Sequence, residues 1–256
     1  MKLNNFHYRS SKLILIHASD SQVDVYLRMK NTTSNNNYHE TLVDLLSHRA
    51  SLKQDVFEKM KATFSEFKEV VDREIQAIRS EVKDQRVRSK VINSSDFEIQ
   101  IAVGSDVLVF HMHTNVFRFE DGHPIWKTSY LEENPSLGYF GIINIYNFLF
   151  DSIEYDRRND IGYLIGRIFM NKEGHFLVQG LGDISLLYSN FFKNTLDAAK
   201  MTEIVQRACT FAVDFDSFAP HYQSVGAIRV EDMKNVLNNL KVQTGKRIGF
   251  KWNSEK

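Results

Sequence analysis

The chain has 256 residues, of which 43% are hydrophobic and 25% are charged, the proportions of an ordinary globular protein. Its 32 Lys and Arg residues balance 32 Asp and Glu residues, so no overall basic field is present to hold nucleic acid, and we do not expect that partner. The single cysteine, Cys209, excludes an intramolecular disulfide and a zinc site with several thiolates, and its setting in RACTFAV predicts a small buried side chain.

The apolar runs of the sequence are short. GIINIYNFLF, the longest, is interrupted by two Asn and falls well short of the roughly 20 residues that a membrane-spanning helix needs. KLILIHA, near the start, is also too short for the apolar part of a secretory signal. We therefore expect a cytoplasmic protein that has no membrane partner.

Residues 1–38 are the first predicted part of the chain. KLILI and VDVYLRM have the composition of two short strands, but the polar, turn-prone stretch NTTSNNNY follows them. We interpret this part as a loosely attached arm or an edge hairpin.

Residues 39–90 predict one long amphipathic helix, because Gly and Pro are absent and apolar residues recur at steps of three and four. From Phe64 onward the spacing approaches a heptad, which leaves two interpretations: the helix lies across its own sheet, or it forms a dimerising coiled coil. The basic stretch KDQRVRSK, residues 83–90, suits a helix C-terminus, where cations are favoured. The apolar positions of the stripe are Leu42, Leu45, Leu46, Leu52, Val56, Met60, Phe64, Phe67, Val71, Ile75, Ile78 and Val82.

Residues 97–180 predict an antiparallel sheet. FEIQIAV alternates polar and apolar residues, as expected of a strand with one polar face. The chain turns at residues 104–106 and returns through Val107–His113. Farther on, NKEG joins the predicted strands Ile161–Met170 and His175–Gln179 into a hairpin.

Residues 140–153 are ambiguous, because their β-branched and aromatic content suits a buried strand while the spacing of their apolar residues suits a helix. We expect a helix in the second half of this segment. Two shorter helices are predicted after the sheet, at Thr195–Val213 and Val230–Leu240. The basic stretch QTGKRIGFKW lies near the end of the sequence.

One segment, HMHTNVFRFEDGH, collects residue types that bind metals. His111 and His113 stand two apart on a predicted strand, so they face the same side. Glu120 and His123 follow, and imidazoles with carboxylates hold divalent zinc, iron or manganese with positions left open for water. The competing explanation is that the two histidines are ordinary strand residues, either exposed or partly packed under a loop.

Aromatic residues concentrate around the long loop at residues 121–139, DGHPIWKTSYLEENPSLGY, and in the segment after it. Loops of this length are often functional. Trp126, Tyr130 and Tyr139 are the residues that we expect to contact a ligand or a protein partner. Core packing is the competing explanation for these aromatic residues.

We identify no family from these patterns. The predicted fold is α+β, with an antiparallel sheet at about residues 97–180, a long N-terminal amphipathic helix and shorter C-terminal helices. The predicted parts are the arm at 1–38, the helix at 39–90 and a globular domain at 91–256.

No complete catalytic motif is present. We therefore favour a non-enzymatic cytoplasmic module for binding or assembly, a homodimer that self-associates through its long helix. This module would bind a small molecule or a protein at the sheet and the 121–139 loop. The alternative is a metal-dependent enzyme that uses His111, His113 and Glu120, for which the sequence indicates no substrate.

Overall fold

The computed structural model describes residues 37–215, apart from Asn159 and Ser189, together with Val230. Residues 1–36 of the predicted arm, and the predicted helix Val230–Leu240 after its first residue, lie outside the described residues. The chain divides into two compact units. Their described parts are residues 37–54 with 118–138, and residues 55–117 with 139–215.

A long helix opens the described part of the chain, as predicted. It comprises α1 (Tyr38–Asp44), a π-helical turn (Leu45–Ala50) and α2 (Ser51–Glu81). The side chain of Asn37 caps α1 by accepting a hydrogen bond from the His39 backbone N–H at 3.2 Å. No helix in the described residues is long and apolar enough to cross a membrane.

The long helix ends at Glu81, so the prediction that it continues through residues 83–90 is wrong. Asp84 supplies the physical reason, because its carboxylate accepts a hydrogen bond from the Arg86 backbone N–H at 2.9 Å and holds the chain in a turn. Arg79 secures the same turn by donating to the Val87 carbonyl at 3.0 Å. The basic residues of this stretch therefore belong to a turn, and a strand begins at Ser89.

Seven strands form one antiparallel sheet, which confirms the predicted α+β class. The sheet begins earlier than predicted, with an additional strand before residue 97. The order is β1-β2-β3-β5-β6-β7, and the two-residue β4 pairs with β5. Pairing of β1 with β2 shifts register between Val91 and Asn93. The strands are β1 (Ser89–Ser94), β2 (Glu98–Val103), β3 (Asp106–Met112), β4 (Phe117–Arg118), β5 (Tyr139–Leu149), β6 (Tyr163–Asn171) and β7 (Phe176–Gly180).

The ambiguous segment at residues 140–153 is mainly strand. β5 runs through Leu149, and only Phe150–Glu154 form a short helix, which corrects the expectation of a helix throughout the second half. β5 pairs with β3 on one side and with β6 on the other. Residues 140–143 of β5 are all buried, so this part of the strand lacks the alternation that identifies a half-exposed strand.

Short helical segments fill the connections. The predicted long loop at residues 121–139 contains a 3-10 turn at Pro124–Lys127, helix α3 (Ser129–Glu133) and a second 3-10 turn at Pro135–Gly138. Phe150–Glu154 is α4, and Ala198–Asp214 is α5, the predicted helix after the sheet. Asp197 caps the start of α5, because its side chain accepts a hydrogen bond from the Lys200 backbone N–H at 2.9 Å.

The β6–β7 hairpin is confirmed. Gly174 lies at its turn with φ of +83°, in the left-handed region that favours glycine. After β7 the chain returns along the outer edge of that strand. Phe176 donates to the Asn194 carbonyl at 3.2 Å, and Val178 donates to the Tyr188 carbonyl at 3.3 Å. The returning segment therefore pairs with β7 on the side away from β6.

One face of the sheet is covered by α2 and α5, and the main core lies between them. The part of the helix stripe from Val56 to Ile75 is buried there, and Phe67 and Val71 are fully buried. Between Val56 and Ile75, the helix therefore lies across its own sheet, which is the first of the two interpretations. Its largest fully buried side chains include Phe64, Phe67, Phe110, Phe176, Met60 and Ile75.

Three side chains link the segment after β7 to α5. The Tyr188 hydroxyl donates to the Glu203 carboxylate, which also accepts from Arg207 at 2.9 Å. Desolvation, followed by the hydrogen bond with Glu203, raises the pKa of Tyr188 to about 12. The same hydrogen bond is the main cause that lowers the pKa of the Glu203 carboxyl.

Candidate functional site

A row of polar side chains crosses the sheet on the face opposite the main core. Strand register places one residue from each of five strands in this row. Its position follows from the alternation along β3, where Leu108, Phe110 and Met112 enter the core while His111 points to the other face. The members of this polar row are Glu98, His111, Asn144, Arg167 and Gln179.

Hydrogen bonds order both ends of the polar row. Arg167 donates to the side-chain oxygen of Gln179 at 2.8 Å, and its guanidinium lies 5.2 Å from the centroid of the Phe169 ring. At the other end, Gln100 donates to the Glu98 carboxylate at 2.6 Å. Gln179 is exposed and the other four row members are half-buried. Such a row offers donors and acceptors of both charges to a bound molecule.

A pocket of about 450 Å³ opens toward the β1 side of the sheet. Ile92, Gln100 and Phe150 line it, together with the oppositely charged Lys90 and Glu154. Arg88 stacks on Phe150, with its guanidinium carbon 3.9 Å from the ring centroid. Polar groups make up most of the lining surface, so a molecule bound there would meet mainly hydrogen-bonding and charged groups.

The predicted histidine pair lies on strand β3 and just after it. The ring centroids of His111 and His113 are 6.4 Å apart, and the planes are nearly perpendicular. His113 accepts a hydrogen bond from the Asn115 N–H at 3.0 Å and packs edge-on against Phe117. One nitrogen of His113 is thus used to shape the turn after β3.

The other two predicted metal ligands, Glu120 and His123, follow strand β4. His123 accepts from the Ile125 N–H at 3.2 Å, which caps the 3-10 turn, and its ring stacks on Phe119 at 4.4 Å. The backbone carbonyl of Glu120 accepts from the Trp126 indole N–H at 2.8 Å. Across the described ranges, no three His, Cys, Asp or Glu residues are grouped to hold a metal ion. The metal site stays a prediction, and no group of three ligands is found for it among the described residues.

Trp126, the first predicted ligand-binding residue, is enclosed by its own unit. The Arg118 guanidinium lies 4.3 Å from its ring centroid, and Arg118 also pairs with Asp121. On the other side, any Cβ added at Gly138 would overlap the Trp126 ring. These contacts favour the competing explanation of packing for Trp126.

Neither predicted tyrosine is widely exposed. Tyr130 of α3 is half-buried. Tyr139, at the start of β5, is packed against the main core. Ligand contact by these two residues stays a prediction.

Cys209 is buried on α5, as predicted. Burial, followed by the nearby charge of Glu74, raises the pKa of its thiol to about 12. Because the thiolate is the nucleophile, this thiol has little reactivity at neutral pH.

The first turns of the long helix expose an apolar stripe. Tyr38, Leu42 and Leu46 recur every four residues and have 73%, 54% and 57% of their surface exposed. Val43 lies beside them and is 48% exposed. We call these four residues the N-terminal stripe. The sequence pattern identified its leucines but could not distinguish this exposed part from the buried part that follows.

Comparison with protein-family models, with curated proteins and with solved structures finds no match for this chain.

Proposed function

We propose that this protein is a non-enzymatic binding or assembly module that self-associates through the N-terminal stripe of its long helix. The observation that carries the proposal is the exposure of Tyr38, Leu42 and Leu46 at a spacing of four residues. Large apolar side chains that form a continuous patch on a surface mark an interaction site more often than scattered ones do.

Helical geometry supports pairing of two copies at this stripe. Residues four apart lie on one face of a helix, so Tyr38, Leu42 and Leu46 form a ridge about two turns long. Two such ridges from identical chains can pack against each other with twofold symmetry.

Sedimentation velocity of the full chain tests this proposal. Leu42→Glu/Leu46→Glu should convert a dimer into a monomer, because two carboxylates would be buried opposite their symmetry mates. The control Ser47→Glu/Ser51→Glu adds the same charge at exposed positions outside the stripe and should remain dimeric. If the leucine variant and the serine control sediment with the same oligomeric mass, self-association through the stripe is contradicted.

The second part of the proposal is that a cytoplasmic partner or ligand binds at the outer face of the sheet. The polar row and the pocket beside Phe150 support this part, because they offer ordered donors and acceptors next to a recess that is lined mainly by polar groups. A photo-crosslinking residue at Gln179 tests it in cells. The same residue at Glu66, exposed on α2, is the control. Identical adducts from both positions contradict a partner at the sheet.

A further inference from the structure

A groove of about 840 Å³ lies between α2 and α5, at the end of the sheet where β2 stops. Its apolar lining comes from Ala77, Ile78 and Val82 near the end of the long helix and from Val103 and Val213. Val213 has 57% of its surface exposed. The groove is therefore an apolar recess on the surface of the second unit.

The rim of this groove is acidic. Glu74, Glu81 and Asp214 line it, and none of the described residues that line it is basic. Gln206 of α5 donates to the Glu74 carboxylate at 2.7 Å and thereby ties the two helices together. An occupant of the groove should carry apolar side chains on one side and positive charge around them.

The sequence after α5 has that character. Its predicted helix Val230–Leu240 places Met233, Val236, Leu237 and Leu240 at helical spacing. From residue 230 to residue 252 the sequence contains five Lys and Arg residues and two acidic residues, Glu231 and Asp232, so its net charge is positive. We call residues 230–252 the C-terminal segment.

Chain length allows the C-terminal segment to return to the groove. α5 ends at Asp214, which itself lines the groove. The connecting residues 215–229 span at most about 50 Å when extended. That reach exceeds the length of α5, about 25 Å for its 17 residues.

We propose that the C-terminal segment of the same chain docks in the groove between α2 and α5, with its apolar residues against Ile78 and Val213 and its basic residues along the acidic rim. This interaction is separate from the self-association and partner binding proposed above. It assigns the groove an occupant within the chain, so that an external partner would have to displace the C-terminal segment to bind there.

Cys209 provides a direct test, because it is the chain's single cysteine, lines the groove and is 6% exposed. The rate at which an aromatic disulfide reagent labels Cys209 in the full chain reports how well the groove is covered. Leu237→Asp/Leu240→Asp should accelerate labelling by about tenfold or more, since docking suppresses the openings through which the thiol is reached. The milder Leu237→Ala/Leu240→Ala should act in the same direction.

The matched control is Asn235→Asp/Asn239→Asp, which adds the same two carboxylates on the polar side of the predicted helix. This control should accelerate labelling far less than the leucine variant. Circular dichroism verifies that each variant is folded. Equal labelling rates in the parent chain and the leucine variant would overturn the proposal, and so would equal acceleration in both aspartate variants. Protection that grows with protein concentration would instead assign the groove to the segment of a second copy, which also overturns docking within one chain.

Discussion

The Phe67 ring of α2 packs against the Phe110 ring of β3, with the ring centroids 5.3 Å apart and the planes inclined at 57°. Both side chains are fully buried. This contact joins the long helix to β3, the second strand of the β2–β3 hairpin. It assigns Phe67 to the chain's own core and removes it from the candidates for a dimer contact.

Phe67→Ala should therefore lower the free energy of unfolding by about 3–5 kcal/mol, the usual cost of deleting a buried aromatic ring. Chemical denaturation measures this change, and Glu66→Ala at the adjacent exposed position should change it little. A folded Phe67→Ala variant should have the same number of subunits as the parent chain. A shift from dimer to monomer with unchanged stability would reinstate the coiled-coil interpretation at this position.

The Tyr188–Glu203 hydrogen bond should make stability depend on pH above pH 10. The folded-state pKa of Tyr188, about 12, is above its ordinary value of 10.0. Its contribution is therefore complete below pH 10 and is lost as the pH rises through 12. Urea denaturation midpoints are measured for the parent chain and for Tyr188→Phe at each pH, and the two midpoints are compared. Their difference should be constant from pH 7 to pH 10 and should shrink above pH 10. A constant difference up to pH 12 contradicts this prediction.

Glu203 should make the stability of the protein depend on pH at the acidic end of the range. Its folded-state pKa is lowered from 4.5, first by the hydrogen bond from Tyr188 and also by Arg207. Its contribution is therefore complete above pH 4.5 and is lost as the pH falls through the lowered value. Glu203→Gln should reduce the acid sensitivity of the denaturation midpoint. The exposed Glu66→Gln is the control, and equal acid sensitivity in both variants would contradict the assignment.

Gly138→Ala should displace the Trp126 ring, because the added methyl group would overlap it. Overpacking of this kind costs about 1–3 kcal/mol. The emission of Trp126, measured in a Trp252→Phe background, should shift toward longer wavelength as the indole gains access to water. Gly122→Ala is the control, since nothing lies within 4 Å of the position its methyl group would take. Identical emission spectra for the two variants would contradict the prediction that the added methyl group displaces the Trp126 ring.

Gly174→Ala should destabilise the β6–β7 hairpin through the backbone alone. Its φ of +83° is unfavourable for a residue with a side chain, whereas the nearest atom to an added methyl group, Cε of Lys59, is 3.7 Å away and causes no clash. The expected loss is about 1–2 kcal/mol. Glu173→Ala in the same turn keeps an ordinary backbone conformation and is the control for thermal melting. An equal loss in both variants would contradict a backbone origin.

The helix stripe and the hairpins were predictable because local patterns specify them. Val56, Phe67 and Ile75 recur at helical spacing, and NKEG places a glycine where the hairpin needs φ above zero. The end of the long helix was not predictable from charge, since the turn depends on one carboxylate, Asp84, and its contact with the Arg86 N–H. β5 was ambiguous because residues 140–143 are all buried, and that burial depends on neighbours that are distant in sequence.

The candidate site was less predictable than the fold. Asn144 and Arg167 lie within apolar segments and are far from His111 in sequence, and only the strand register brings the three into one row. Polar residues inside GIINIYNF and LIGRIF were the available signal. The exposure of Leu42 and Leu46 was equally hidden, because the same apolar pattern continues into the buried part of the helix.

The two edges of the sheet differ in how they resist growth into a fibril. Along β7, the chain's own returning segment occupies the hydrogen-bonding groups that a foreign strand would need. β1 has a strand partner on one side only among the described residues, but it is six residues long, has the register shift between Val91 and Asn93 and carries the exposed Lys90. Short length, irregular register and a lysine are the features by which natural edge strands avoid aggregation. Both edges of the sheet, in the part of the chain that the structure describes, thus have features that disfavour pairing with a strand of another molecule.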